Sequence, residues 1–241
     1  MDDAEQLLPN YLRFIRGVVD SSDLPLNISR EILQESRDIK AIREGCTKRI
    51  LTLLNDLSKR DAEKYNIFWS EFGQCFKEGF GEDLTNKDKL ADLVRFKSTY
   101  DKNTKENVSL KEYVSRMQSG QDKIFVITGD NIQAVLSSPH LEIFKEKNIE
   151  VLLLTDRVDE WVLNFLTEYD EKSIQSVMKG SLDFDKEEKD SSKKKKSSEI
   201  DNIDSVIEKA KSVLGDKVKE IRTTKRLTDS ACCLISDDND V

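Results

Sequence analysis

The sequence KIFVITGD at positions 123–130 decides the fold class of this chain. Lys123–Thr128 is a nearly continuous apolar run that stops at Gly129-Asp130, as is typical of a strand buried on both faces of a parallel sheet. Two further strands are predicted at Glu150–Thr155 (EVLLLT) and Ser173–Met178. The segments between them are predicted to be helical, at Asn131–Leu136, Leu141–Lys147 and Val158–Tyr169. This alternating order predicts a small α/β unit with right-handed crossovers.

The part of the chain before this unit is predicted to be mainly helical, because 241 residues contain only three prolines and nine glycines. Steps of three and four between apolar residues predict helices, at Ser29–Leu57, Asp61–Phe76, Asn86–Phe96 and Leu110–Met117. Aromatic and branched residues predict a strand at Tyr11–Val19, and Gly79-Phe80-Gly81 predicts a turn. The aromatic face of the second helix is predicted to be core, with Tyr65, Phe68, Trp69, Phe72 and Phe76.

The organisation changes again after the α/β unit. Asp183–Ser198 (DFDKEEKDSSKKKKSS) is too rich in charge to bury a core, and it is predicted to be a linker. A helix at Ile200–Leu214 and strands at Val218–Leu227 and Ala231–Ser236 are predicted beyond it. Because both ends of the chain cut through elements, we expect the chain to be part of a longer protein.

Composition excludes several classes of function. The formal net charge of −8 argues against a general nucleic-acid binder, which needs a basic face. The longest apolar runs are a few residues long, whereas a membrane-spanning helix needs about 20. One histidine, His140, and the absence of phosphate-loop and paired-cysteine motifs make an independent enzyme a poor hypothesis. Four cysteines and no export signal predict reduced thiols and a cytoplasmic location.

Seven segments spread along the chain form a specific pattern. The first is RGVVDSSDLPLNISREILQ at Arg16–Gln34, and the last is VLGDKVKEIRTTKRLTDSACCL at Val213–Leu234. Between them lie FWSEFG (68–73), LVRFKST (93–99), SLKEYVSRM (109–117), SPHLEIF (138–144) and EVLLLTDRVDEWVLNFLTEY (150–169). Together these segments closely resemble the 90-kDa heat-shock chaperone family in its bacterial form. The resemblance covers nearly the whole chain, and it is weakest at the predicted linker.

The resemblance implies a fold of mixed α/β class and an order of four segments. Residues 1–58 would be the C-terminal part of the large α/β unit of the family's middle domain, and residues 59–108 a helical connector. Residues 109–182 would be the small α/β unit of that domain. Residues 183–241 would be the charged linker and the first elements of the C-terminal domain.

The resemblance also implies an ATP-dependent cycle, with ATP and Mg²⁺ held by an N-terminal domain that would lie before Met1. Arg30 matches the family arginine that reaches the γ-phosphate, and Gln34 matches a second position near the phosphates. A cation in the first turn of a helix opposes the helix dipole, so the position alone gives Arg30 no stabilising role. We expect no enzyme activity and no cofactor of the chain by itself, and slow ATP hydrolysis by the full-length protein.

Glu160, Trp161 and Asn164 match positions with which bacterial family members contact non-native client proteins. Their spacing would place all three on one side of a helix, and tryptophan is enriched at binding hot spots. The alternative is a tryptophan buried in the core of the small α/β unit.

The partners implied by the resemblance are non-native clients, the chaperone's own N-terminal ATPase domain and a second copy of the full-length protein. Dimerisation would use C-terminal helices beyond Val241, so we expect a largely monomeric chain. No nucleic acid, membrane or metal is expected as a partner. The alternative functions are a stand-alone protein-binding scaffold and, with less support, a small nucleotide-dependent enzyme built on Lys123–Met178.

Overall fold

The computed structural model describes residues 7–19, 37–101, 107–179, 200–224 and 226–236. The chain divides into two compact units, and each is described by itself. Unit 1 contains residues 1–137 and 149–176, and unit 2 contains residues 138–148 and 177–241. The four segments predicted from the sequence stay a prediction.

The first half of unit 1 is helical. Helix α1 spans Arg37–Arg60, and α2 spans Ala62–Lys77 after Asp61, whose side chain caps it by accepting the Lys64 N–H at 3.0 Å. Short helices follow, α3 at Gly79–Glu82 and α4 at Lys87–Leu93, with a 3-10 turn at Leu84–Asn86 between them. Since Gly79 and Gly81 lie within α3, the predicted simple turn at Gly79-Phe80-Gly81 is wrong.

The predicted strand at Tyr11–Val19 is also wrong, because a 3-10 helix occupies Asn10–Leu12 and the described residues after it form no strand. The Glu82 carboxylate accepts the N–H groups of Asn10 and Tyr11 at 2.8 and 3.1 Å. Consecutive Tyr11 and Leu12 are both fully buried, an arrangement that a strand with one buried face does not allow. A carboxylate some 70 residues away in sequence therefore overrides the strand propensity of this segment.

A six-stranded mixed sheet completes unit 1, and it confirms the α/β fold class. Its strands are β1 at Arg95–Ser98, β2 at Val108–Ser109, β3 at Lys123–Thr128, β4 at Leu152–Leu154, β5 at Glu168–Tyr169 and β6 at Lys172–Ser176. The spatial order is β2-β1-β4-β3-β6-β5. As predicted, β3 pairs in parallel with both β4 and β6, with Val126 opposite Leu152 and Ile124 opposite Ile174.

Two helices end earlier than predicted, because the last residues of each predicted helix form a strand of the sheet. α4 stops at Leu93, and Phe96 is buried in β1, which pairs antiparallel with β2 and β4. Helix α8 spans Asp159–Leu163, whereas the prediction extended it to Tyr169. Asp170 and Glu171 have φ values of 48° and 60°, which close a tight hairpin between β5 and β6. The remaining helices of unit 1 are α5 at Leu110–Arg116 and α6 at Ile132–Leu136.

The core of unit 1 joins the helices to the inner strands. Tyr65, Trp69 and Phe76 of α2 are buried in it, as predicted. Phe72 was predicted to be core as well, but its side chain is 39% exposed. Its ring stacks on Phe14 with the two ring centroids 4.8 Å apart, so it packs at the border of the core.

Unit 2 contains a 3-10 turn at Pro139–Leu141, helix α7 at Glu142–Glu146 and helix α9 at Ile200–Leu214, the last as predicted. The strands predicted at Val218–Leu227 and Ala231–Ser236 do not form in the described part of these ranges, where Ser236 makes one isolated bridge to Lys179. The Glu142 carboxylate accepts the backbone N–H groups of Thr228, Asp229 and Ser230, which lie between the two predicted strands. This connecting segment is thus held by a side chain, and the described residues on either side of it form no ladder with each other.

Candidate functional site

The candidate site lies on α8 and on the short helix α3, both in unit 1. Helix α8 begins at a buried ion cluster. The Lys77 Nζ, whose side chain is only 3% exposed, lies 2.5 Å from Asp159 Oδ1 and 2.7 Å from Asp156 Oδ2. Asp159 Oδ2 also accepts the backbone N–H of Asp156 at 2.9 Å. These contacts attach the first residues of α8 to the C-terminal end of α2.

The single ammonium group of Lys77 serves two carboxylates in this cluster. Burial raises the pKa of Asp159, although the Lys77 charge and the hydrogen bonds to this carboxylate act in the opposite direction. Burial acts on Asp156 too, but the charge and hydrogen bond of Lys77, together with a hydrogen bond from Gln74, outweigh it and lower the pKa of that carboxyl. The ammonium group of Lys77 also lies 4.8 Å from the centroid of the Phe96 ring, a cation–π distance. This charge network positions the first residues of α8 against the end of α2.

Helix α8 separates its residues into a buried and an exposed side. Val162 on α8 and Leu166 just after it are buried in the core of unit 1. The three residues predicted as a contact surface, Glu160, Trp161 and Asn164, are all exposed. The helix thus brings these three side chains to the surface together, at the end of the element that Lys77 anchors.

Trp161 is not part of the core, since its side chain is 40% exposed. Its ring makes an edge contact with Phe165, with the two centroids 4.8 Å apart. On another side the six-membered ring lies directly against the backbone of Gly81 in α3. The indole is therefore supported by an aromatic ring and by a glycine, and its remaining surface faces solvent.

The surface formed by Glu160, Trp161 and Asn164 combines one large apolar ring with two polar side chains. Tryptophan contributes apolar area and one N–H donor, the carboxylate contributes acceptors, and the amide contributes both. Such a surface can bind an apolar side chain of another protein and hydrogen-bond to polar groups beside it. These three side chains do not combine a nucleophile with a neighbouring general base, the arrangement that would indicate covalent chemistry.

Arg30 and Gln34, the residues predicted to act on ATP, lie outside the described residues. Within the described ranges, no group of three or more His, Cys, Asp or Glu side chains could hold a metal ion. Among the same residues, no helix is long and apolar enough to cross a membrane.

Two features of the site were missed by reasoning from the sequence. The buried cluster joins Lys77 to Asp156 and Asp159, which lie 79 and 82 residues further along the chain. No local spacing in the sequence predicts a contact over that distance. Gly81 was interpreted only as part of a turn, although its lack of a side chain is what admits the Trp161 ring. A cleft of about 400 Å³ beside Lys77, lined by Trp69, Gln74 and Thr155 among others, was not predicted either.

Comparison with known proteins identifies the family. The family model described as Hsp90 protein matches residues 1–241, the whole chain. The protein named Chaperone protein HtpG of Dechloromonas aromatica is 57% identical over 240 residues, which cover 100% of this chain and 38% of the relative. Its namesake in Burkholderia ambifaria is 58% identical over 245 residues, covering 100% of this chain and 39% of the relative.

A third protein of that name, from Chromobacterium violaceum, is 54% identical over 241 residues, again the whole chain and 38% of the relative. The chain thus spans about two fifths of the length of the curated relatives that it matches. Because the family model and these relatives match it from end to end, the chain belongs to the Hsp90 family.

Proposed function

We propose that the chain is the middle and early C-terminal part of an ATP-dependent molecular chaperone. The observation that carries this proposal is the match of the Hsp90 family model to all 241 residues, together with relatives that are named chaperones. In this proposal the chain by itself is not an enzyme. It supplies a surface for non-native client proteins and an arginine for ATP bound elsewhere in the full-length protein.

The client surface is assigned to Glu160, Trp161 and Asn164. Non-native proteins differ from folded ones by exposing apolar side chains, and Trp161 offers a large apolar ring that is already accessible. The flanking Glu160 and Asn164 are exposed and can bind the polar backbone of an extended client segment. The contact is non-covalent and tolerant of sequence, as binding of many different clients requires.

Binding of a permanently unfolded protein tests this assignment. We expect the chain to bind fluorescently labelled, reduced and carboxymethylated α-lactalbumin, measured by fluorescence anisotropy. Trp161→Ala should weaken this binding by about 30-fold, the loss expected for an interface hot spot of about 2 kcal/mol. Ile67→Ala is the matched control, because it removes another exposed apolar side chain on α2 and should leave the affinity unchanged. Equal losses in the two variants would contradict a specific role for Trp161.

The second part of the proposal concerns Arg30 and Gln34. We propose that Arg30 contacts the γ-phosphate of ATP when the domains of the full-length protein close, with Gln34 beside it and Mg²⁺ held by the nucleotide-binding domain. A guanidinium suits this role because it forms paired, charge-assisted hydrogen bonds with phosphate oxygens. Arriving only on closure, its charge would stabilise the transferred phosphoryl group in the manner of an arginine finger.

Steady-state ATP hydrolysis by the full-length protein tests this role, with the 241-residue chain as the blank. Arg30→Ala should lower the rate strongly without changing nucleotide affinity. The blank should show no hydrolysis. Equal rates of wild type and variant would remove Arg30 from the proposal and leave the client surface as the function of this chain.

The remaining assignments are partners and location. We propose that the full-length protein is a homodimer, that its partners are its own ATPase domain and non-native clients, and that it acts in the cytoplasm. The location is supported by four cysteines, none of them in a disulfide. Sedimentation velocity of the chain and of the full-length protein would test the dimer, which the stand-alone scaffold hypothesis does not require.

A further inference from the structure

Gly81 lies in α3 at the point where the Trp161 ring packs against the backbone of that helix. A Cβ atom built on Gly81 would lie 2.3 Å from both Cη2 and Cζ2 of Trp161 and 3.2 Å from Cζ of Phe165. Distances as short as 2.3 Å are far below van der Waals contact, so any residue other than glycine would collide with the ring. Gly81 is not among the glycines with positive φ, so its backbone conformation does not itself require glycine.

The two helices that meet at this contact, α3 and α8, are both held in place by buried contacts. Next to Gly81, Phe80 is fully buried, and Glu82 binds the N–H groups of Asn10 and Tyr11. On the opposite side, α8 is held by the ion pair of Asp159 with Lys77 and by buried Val162. If a side chain were added at position 81, the indole would therefore be the part that moves, since neither helix can retreat without breaking buried contacts.

We propose that Gly81 is a positioning residue that holds Trp161 half exposed and in one orientation. The inference rests on the proposed client surface and adds how that surface is prepared. A ring that is already ordered loses less conformational entropy when a client binds. Glycine at position 81 thus preorganises the aromatic part of the surface without contacting the client through a side chain.

Tryptophan fluorescence tests the positioning directly and does not depend on client binding. The chain has two tryptophans, and Trp69→Phe leaves Trp161 as the sole emitter. In this background Gly81→Ala should shift the Trp161 emission to longer wavelength and increase its quenching by acrylamide, because the ring leaves its support. Gly45→Ala is the matched control, since Gly45 lies in α1 and an added Cβ there would meet no atom within 4 Å. Unchanged emission and quenching in Gly81→Ala would overturn the proposal.

A double substitution separates the clash from a general defect of α3. Gly81→Ala should lower the urea midpoint of unfolding when Trp161 is present. In the Trp161→Ala background the same substitution should leave the midpoint unchanged or raise it, because alanine favours helix over glycine. Equal losses in both backgrounds would show that the ring is not what excludes a side chain, and would contradict the inference.

Client binding then tests the consequence of the positioning. Gly81→Ala should raise the Kd for labelled, reduced and carboxymethylated α-lactalbumin by roughly 2- to 10-fold, the cost of ordering one large side chain. A displaced ring with an unchanged Kd would contradict preorganisation. If the wild-type chain bound no unfolded protein, the proposed function would fail, while the fluorescence measurements would still decide whether Gly81 positions Trp161.

Discussion

At the scale of single residues, Lys77 is the side chain on which the candidate site depends most. Its ammonium group is the cation for both Asp159 and Asp156, and it is enclosed by the rings of Phe96 and Trp69. A buried pair of this kind adds little net stability relative to apolar residues, but losing one partner leaves a buried charge without compensation. The geometry of α8 and the stability of unit 1 are therefore both sensitive to this one lysine.

We predict that Lys77→Met lowers the free energy of unfolding by about 3–5 kcal/mol, because Asp159 would remain buried without its cation. Urea unfolding followed by circular dichroism measures this change. Adding Asp159→Asn should restore part of the loss, since the uncompensated carboxylate is then removed. Lys64→Met is the control, because the Lys64–Asp61 pair is exposed and its loss should have little effect. A similar small effect of both lysine substitutions would contradict the role given to the buried cluster.

At the scale of elements, the sequence predicted correctly those helices and strands that depend on neighbouring residues alone. Lys123–Thr128 was correct to the residue because a continuous apolar run needs only burial on both faces. The predictions for Tyr11–Val19 and for the end of α8 were wrong. The distant carboxylate of Glu82 determines the first segment, and the hairpin turn at Asp170 and Glu171 determines the second.

The same distinction explains the candidate site. The spacing of Glu160, Trp161 and Asn164 predicted that they share a side of a helix, and the structure places all three at the surface. Whether Trp161 was core or surface was left open, because the answer depends on Gly81, which is 80 residues away in sequence. Contacts of that range leave no periodic signal in the chain.

Helix α5 offers a test of local stabilisation. Ser109 Oγ accepts the Glu112 N–H at 3.1 Å, and the Glu112 carboxylate accepts the Ser109 N–H at 2.8 Å, which is a complete capping box. Ser109→Ala should lower the free energy of unfolding by about 1 kcal/mol. Ser115→Ala in the same helix removes an exposed hydroxyl that does not cap, so it should be neutral or slightly stabilising. Thermal unfolding of the two variants compares them, and equal behaviour would contradict the capping role.

At the scale of the whole molecule, one carboxylate joins distant parts of the chain within unit 2. Glu142 accepts hydrogen bonds from Ser230, Asp229 and Thr228, which lie 86 to 88 residues further along. The hydroxyl of Ser230 and these N–H groups lower the pKa of Glu142 from 4.5 to about 2. The loop at residues 228–230 is thus organised around a negative charge.

This contact predicts an acid-sensitive unit 2. Because the pKa of Glu142 is lower in the folded chain than its ordinary value of 4.5, its contribution to stability is complete above pH 4.5 and is lost as the pH falls towards about 2. Glu142→Gln should remove that part of the pH dependence, because the amide does not titrate. Amide hydrogen exchange at residues 228–230, measured from pH 6 down to about pH 2.5, follows the loss. A variant that kept the wild-type pH dependence would contradict the assignment.

The edges of the six-stranded sheet carry a consequence for the proposed binding of unfolded chains. Its outermost strands, β2 and β5, contain two residues each, so neither edge of the described sheet is formed by a long strand. A long, flat edge would add client segments by strand pairing and could template fibril growth. In the proposed function, short edges favour side-chain contacts as the way to hold a client, and such contacts can be released without breaking a ladder of hydrogen bonds.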